Sequence, residues 1–137
     1  MESTMETAQI QGKKLNSPGL SGPALRTFFN IAEAWELTTE EQRKLLGGMP
    51  RATYFRLRKD AEAAVLARDT LERISYILGI YKALQILLPE KAADKWIKNP
   101  NTASLFGGRP AIERMLAGNV VDLYQVRQYL DGERGGW

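Results

Sequence analysis

Proline and glycine cut this chain into short segments, and the residues between the cuts are patterned as helices. The breaks fall at Gly22-Pro23, Gly47-Gly48 with Pro50, Pro89, Asn99-Pro100-Asn101, Gly107-Gly108 with Pro110, and Gly118. Proline suits the first turn of a helix, where the backbone amides have no partner in any case, and glycine supplies the left-handed backbone that closes one. Leu25, Phe28, Phe29 and Ala32 recur at helical spacing and predict a first helix from Pro23 to Trp35. Thr38 followed by Glu41 has the form of a capping box, predicting a short helix to Leu46, and Pro50 opens another that lasts to about Asp60. The order expected here is helix, glycine turn, helix.

Asp69 with Glu72 offers a second capping box. Beyond it Leu71, Ile74, Ile77 or Leu78, Tyr81, Leu84 and Leu88 form an apolar stripe along a helix of about five turns. Pro89 ends that helix and opens the next, in which Ala92, Ala93, Trp96 and Ile97 are expected to face inward. A helix from Pro110 closes at Gly118, and the last runs from about Val120 to Leu130. Seven helices without a convincing strand make the predicted fold class all-α. Residues 1–20 lack a lasting period and read as a flexible leader, 21–68 as a helix-turn-helix-like module, and 69–137 as a second helical module. Ala61 to Ala67 is compatible with helix, so the boundary can be a kink in continuous helix instead of a linker.

The composition removes most chemistry. No cysteine means no disulfide and no thiolate nucleophile, and no histidine removes the commonest general base and metal ligand. Glu90, Asp94, Glu113 and Asp122 are spread over separate helices and match no acid/base pair or calcium loop, so no catalytic residue, metal or cofactor is expected. At 44% hydrophobic and 26% charged residues the chain reads as an ordinary globular protein, with no apolar run of membrane length. Glu2 and Glu6 interrupt the first twenty residues, which have no signal-peptide core, and a cytoplasmic location is expected. The net charge of +3 is too mild to decide on a polyanionic partner, so the distribution has to.

That distribution singles out Pro50 to Lys59, which holds four basic residues and no acid. With Ala52 and Phe55 facing the core, Arg51, Thr53, Tyr54, Arg56 and Arg58 project outward, and Lys59 stands at the helix end. A helix fits the major groove, and guanidinium groups read guanine edges or grip phosphate. The position after a short helix and a glycine turn is that of a helix-turn-helix recognition element. The other reading is a solvated basic face favoured by the helix dipole; placement and charge together favour DNA. Glu33, Glu36, Glu40, Glu41, Asp60 and Glu62 dilute the field, so any affinity is expected to be modest per monomer and to depend on dimerisation. Trp96, Tyr76, Tyr81 and Tyr124 read as packing, and Gly107-Gly108-Arg109-Pro110 as a structural turn. At the end of the chain, Gly135 and Gly136 are pliable, while Arg134 and Trp137 are side-chain types enriched at binding hot spots. Composition is equally compatible there with a frayed terminus.

Several segments resemble one family. Leu71-Glu72-Arg73-Ile74, Trp96-Ile97-Lys98-Asn99-Pro100-Asn101, Phe106-Gly107-Gly108-Arg109-Pro110, Met115-Leu116-Ala117-Gly118 and Val126-Arg127-Gln128-Tyr129-Leu130 are similar to the bacterial antitoxins of the Xre/MbcA/ParS type, partners of RES-domain toxins. The resemblance covers roughly residues 22–137. It implies a type II antitoxin that neutralises a cognate toxin by direct complex formation and often represses its own operon. The toxins of that family act on NAD, degrading it or transferring its ADP-ribose group. Similar antitoxins form dimers and lay their C-terminal region against the toxin's NAD cleft, which puts Arg127, Tyr129, Arg134, Gly135, Gly136 and Trp137 near the toxin. The partners implied are a RES-domain toxin, operator DNA and a second copy of the chain, whose contact is expected to use the apolar stripe of the long helix. The reading from another class is a stand-alone transcription regulator whose C-terminal helices only dimerise.

Overall fold

Glycine, proline and capping residues set the helix ends in the computed structural model, which describes residues 19–135. Residues 1–18, most of the expected leader, and Gly136 and Trp137 of the tail lie outside the described residues. Leu20, assigned to the leader from sequence, is only 4% exposed and belongs to the core. Helix α1 spans Ser21–Ala34 and starts two residues before Pro23, which still falls in the first turn where its missing amide costs nothing. The Ser21 hydroxyl accepts a hydrogen bond from the Leu66 amide at 2.9 Å. Past Trp35 the chain reverses through Glu36 at φ 53°, and the Leu37 amide donates to the Ala32 carbonyl at 2.9 Å. This is a Schellman closure with glutamate where glycine is usual.

Helix α2 covers Thr39–Leu45 and carries the complete capping box: the Glu41 amide donates to Thr38 Oγ1 at 3.1 Å, and the Thr38 amide to Glu41 Oε1 at 2.8 Å. Gly47, at φ 95°, closes it, with the Gly48 amide on the Arg43 carbonyl at 2.9 Å. The Arg43 side chain braces the same turn, its Nε donating to the Met49 carbonyl at 2.8 Å. Helix α3 follows at Arg51–Lys59, after Pro50. The connection from there is neither continuous helix nor a kink. A 3-10 turn, Ala61–Ala63, leads into non-helical backbone before α4 begins at Arg68.

Helix α4, Arg68–Leu87, is the spine. Its expected capping box does not form: Ala67 is the N-cap and no side chain caps the helix. Asp69 is instead taken by Arg73 Nε at 2.8 Å, and Glu72 receives the Tyr76 hydroxyl at 3.3 Å. The stripe is present but wider than predicted, because Ile80 and Ala83 are buried alongside Leu71, Ile74, Ile77, Leu78 and Leu84, while Tyr81 and Leu88 are half-buried. It packs on α1 and on the last helix of the same chain. The stripe is therefore consumed inside one molecule and does not supply the dimer surface expected of it. Each large aliphatic side chain so buried contributes about 1.5–3 kcal/mol.

Helix α5, Glu90–Lys95, runs into a 3-10 turn, Trp96–Lys98, in which Ala93 and Ile97 are buried but Ala92 is exposed. The loop to α6, Ala111–Met115, is closed by a bridge between Pro100 and Pro110 and by the Gly108 amide on the Asn101 carbonyl at 2.8 Å. Helix α7, Val120–Glu133, extends three residues beyond the predicted end. The described residues therefore hold seven α-helices and no strand, so the fold is all-α. None of these helices is long and apolar enough to cross a membrane. Two side chains tie distant parts together. Arg73 Nη2 donates to the Gly118 carbonyl at 3.0 Å, and Lys98 Nζ to the Glu36 carbonyl at 2.9 Å.

Candidate functional site

The first surface is α3. Tyr54 and Leu57 face the core, and Ala52 and Phe55 do not, so the helix is rotated relative to the sequence expectation. Tyr54, expected to project towards DNA, is 2% exposed, and its hydroxyl donates to Gln42 Oε1 at 2.6 Å. Gln42 Nε2 in turn donates to the Leu37 carbonyl at 3.0 Å, which locks α2 against α3. Phenylalanine at position 54 should cost about 1–3 kcal/mol, because it leaves the Gln42 oxygen buried without a donor. DNA affinity should stay unchanged. Denaturant unfolding beside a DNA titration checks this, and weaker DNA binding at unchanged stability would return Tyr54 to the contact surface.

The other candidates are on the outside. Arg51 is exposed but engaged, with Nη1 2.9 Å from Glu40 Oε1 and its guanidinium 5.0 Å from the centre of the Phe55 ring. Arg58 lies over Phe29 at 4.9 Å. Arg56 and Lys59 are exposed, and neither has an ion pair or hydrogen bond among the described residues. Thr53 is half-buried beside Arg56 in a groove of about 300 Å³ that also takes in Pro50, Val65 and Leu66. Of the basic residues of α3, Arg56, Arg58 and Lys59 therefore keep their charge available to a polyanion, while Arg51 shares its charge with Glu40.

The second surface is α7. Leu123, Val126 and Leu130 pack inward. Arg127 and Arg134 converge on one carboxylate: Arg127 Nε is 3.5 Å from Asp131 Oδ2, and Arg134 Nη1 is 3.8 Å from Asp131 Oδ1. Gly135, at φ 79°, closes the helix beside them. Tyr129 does not join this group. Two residues along a helix turn the side chain by about 200°, and Tyr129 stacks on Trp96 at 6.4 Å and meets Phe106 edge-on at 5.4 Å. Burial, with Glu133 adding to it, raises the pKa of the Tyr129 hydroxyl, which keeps it a donor. Trp96 is a packing residue as expected, but Tyr124 is not, being 44% exposed. Among the described residues no group of acidic side chains is placed to hold a metal ion.

The antitoxin Xre-like helix-turn-helix domain matches residues 14–79, and the antitoxin Xre/MbcA/ParS C-terminal toxin-binding domain matches residues 83–136. The uncharacterized protein y4oB of Sinorhizobium fredii is 46% identical over 132 residues, covering 95% of this chain and 99% of that protein. The chain belongs to the Xre/MbcA/ParS antitoxin family. Both matched domains are binding modules, and the antitoxin is not an enzyme. Its α2 and α3 fall within the helix-turn-helix match and α7 within the toxin-binding match, while α4 is shared between them.

Sequence reasoning missed three residues that hold the antitoxin's surfaces in place. Arg73 anchors α4 to the turn before α7, as described above. Arg114 Nη2 donates to Gln125 Oε1, and its Nη1 donates to the Leu105 carbonyl at 3.3 Å, fastening the loop after α5 to α7. The third is Gly79, buried in the middle of α4 beneath Arg127. The arginines left no pattern to find. A glycine inside a long helix did, because it costs roughly 0.5–1 kcal/mol relative to alanine and calls for a packing reason.

Proposed function

We propose that this antitoxin neutralises a RES-domain toxin that degrades NAD or transfers its ADP-ribose, and does so by occupying the toxin's NAD cleft with the end of α7 and the residues that follow. The observation that carries the reading is the pair of guanidinium groups gathered on Asp131 at the end of the matched toxin-binding segment. Asp131 holds both guanidinium groups on one side of the helix end, leaving a fixed set of donors that can grip acidic and carbonyl groups around the mouth of the cleft, while the residues that follow enter it and displace substrate without any chemistry. Arg127, Arg134, Gly135, Gly136 and Trp137 are the contacts in this proposal. Tyr129 supports them from the aromatic cluster behind the helix. Co-expression tests it: the antitoxin should restore growth and cellular NAD in cells making the toxin, and continued NAD loss at equal expression would refute it.

The same proposal gives α3 the operator. Two copies, related by a twofold axis, set two α3 helices on successive half-sites in the cytoplasm and repress the operon that encodes the pair. Arg56, Arg58, Lys59, Thr53 and, more weakly, Arg51 carry the contact. Arg56→Ala should lower the salt dependence of binding by about one ion if the contact is to phosphate. Arg51→Ala should do less, since that charge is already shared with Glu40. Titrations at several salt concentrations measure both, and equal slopes for wild type and Arg56→Ala would remove α3 from the phosphate contacts.

A further inference from the structure

Gly79 leaves room for something specific. A Cβ placed there would lie 2.5 Å from Arg127 Nε, 2.6 Å from its Cζ and 2.7 Å from its Cδ, so no side chain at position 79 is compatible with the arginine where it rests. Glycine is, after proline, the residue least suited to a helix interior, yet it stands in the middle of the longest helix. The space it vacates is filled by the outer half of a single arginine.

One turn back along α7, Tyr124 meets Tyr76 of α4 edge-on at 5.7 Å, and Val121 beside it is 54% exposed. The Tyr76 hydroxyl is held by Glu72. Two tyrosines and an arginine are the residue types that dominate binding hot spots, and rings braced by neighbouring helices have little freedom left to lose on association. Val121, Tyr124 and Arg127 belong to the matched toxin-binding segment, whereas Tyr76 and Gly79 lie in the helix-turn-helix match. Half-buried Tyr76 and exposed Tyr124 meet across that division.

We propose that Gly79 is a positioning residue that seats Arg127, and that Tyr76, Tyr124 and Val121 extend the same surface as part of the toxin's docking site. The toxin-binding surface is then built from both halves of the chain. This rests on the reading of the partner as a RES-domain toxin, which is the probe used: the catalytically silenced toxin from the same operon, titrated with the full-length antitoxin. Gly79→Ala should weaken the complex about tenfold, as should Arg127→Ala, and the double variant should bind no worse than Arg127→Ala alone. Tyr124→Ala, at an exposed position, should weaken it to a similar degree. An unchanged urea-unfolding midpoint and helicity of Gly79→Ala exclude loss of fold as the cause. Affinity within twofold of wild type for Gly79→Ala, or a further loss in the double variant, overturns the seat. If the wild-type chain forms no complex with this toxin, the RES reading falls and the docking surface with it. A complex that is intact in wild type and indifferent to the variants overturns the surface alone.

Discussion

Deleting Arg134, Gly135, Gly136 and Trp137 is expected to abolish neutralisation of the toxin while the helical fold persists. Arg134 has a 38% exposed side chain whose ion pair reaches Asp131 at 3.8 Å, and Gly135 is exposed beyond the end of α7. A surface ion pair of that kind contributes about 0–1 kcal/mol, so the melting temperature should move by no more than a few degrees. Loss of hot-spot contacts in a cleft costs about 2–4 kcal/mol, or roughly 30- to 1,000-fold in affinity. NAD turnover by the toxin, titrated with each form of the antitoxin, reads the effect. Equal potency for the truncated chain would mean that inhibition is transmitted from elsewhere on the surface.

The second large effect is on stability. Trp35→Ala should cost about 3–5 kcal/mol, the range for emptying a buried aromatic site. Trp35 is 1% exposed, closes α1, and lies 6.1 Å from the ring of Tyr81 on α4. The next residue, Glu36, is tied through its carbonyl to Lys98. The loss should therefore fall on both halves together, and toxin binding and DNA binding should decline along one unfolding curve. Trp35→Phe should cost less than its volume change suggests, since the indole Nε1 is buried without a partner and phenylalanine removes that donor. Urea unfolding followed by helicity measures both. Two separate transitions in Trp35→Ala would show that the halves do not share a core.

The parts of the fold legible in the sequence were those settled within a few residues. Thr38 and Glu41 are three apart and cap each other; Gly47 and Gly48 close α2 where the turn demanded left-handed backbone. The readings that failed were decided by distant partners. In α3, apolar or aromatic residues at positions 52, 54, 55 and 57 allow two inward faces, and the choice is made by Gln42, twelve residues away, which takes the Tyr54 hydroxyl. Asp69 and Glu72 have the spacing of a cap, but Arg73 claims Asp69 while also reaching the Gly118 carbonyl 45 residues on. Taken alone, the stripe of Leu71, Ile74, Ile77, Tyr81, Leu84 and Leu88 on α4 has the spacing of a surface for a partner. Ile80 and Ala83 lie off that face, and a helix apolar on two sides is a buried one.

For the candidate site, the basic helix and the arginines near the chain's end could be found from residue type alone. Their arrangement could not. Arg127 and Tyr129 sit two apart in sequence and point to different sides of α7, and Arg127 rests on a glycine 48 residues earlier. Such pairings depend on how α4 and α7 pack.

Competition between NAD and the antitoxin tests the central claim most directly. The toxin, silenced so that it binds NAD without consuming it, is titrated with full-length antitoxin at increasing NAD concentrations. Occupation of the cleft predicts that the apparent dissociation constant rises in proportion to NAD once its site is saturated. A dissociation constant that stays flat across that range, with inhibition of the active toxin undiminished, would contradict it.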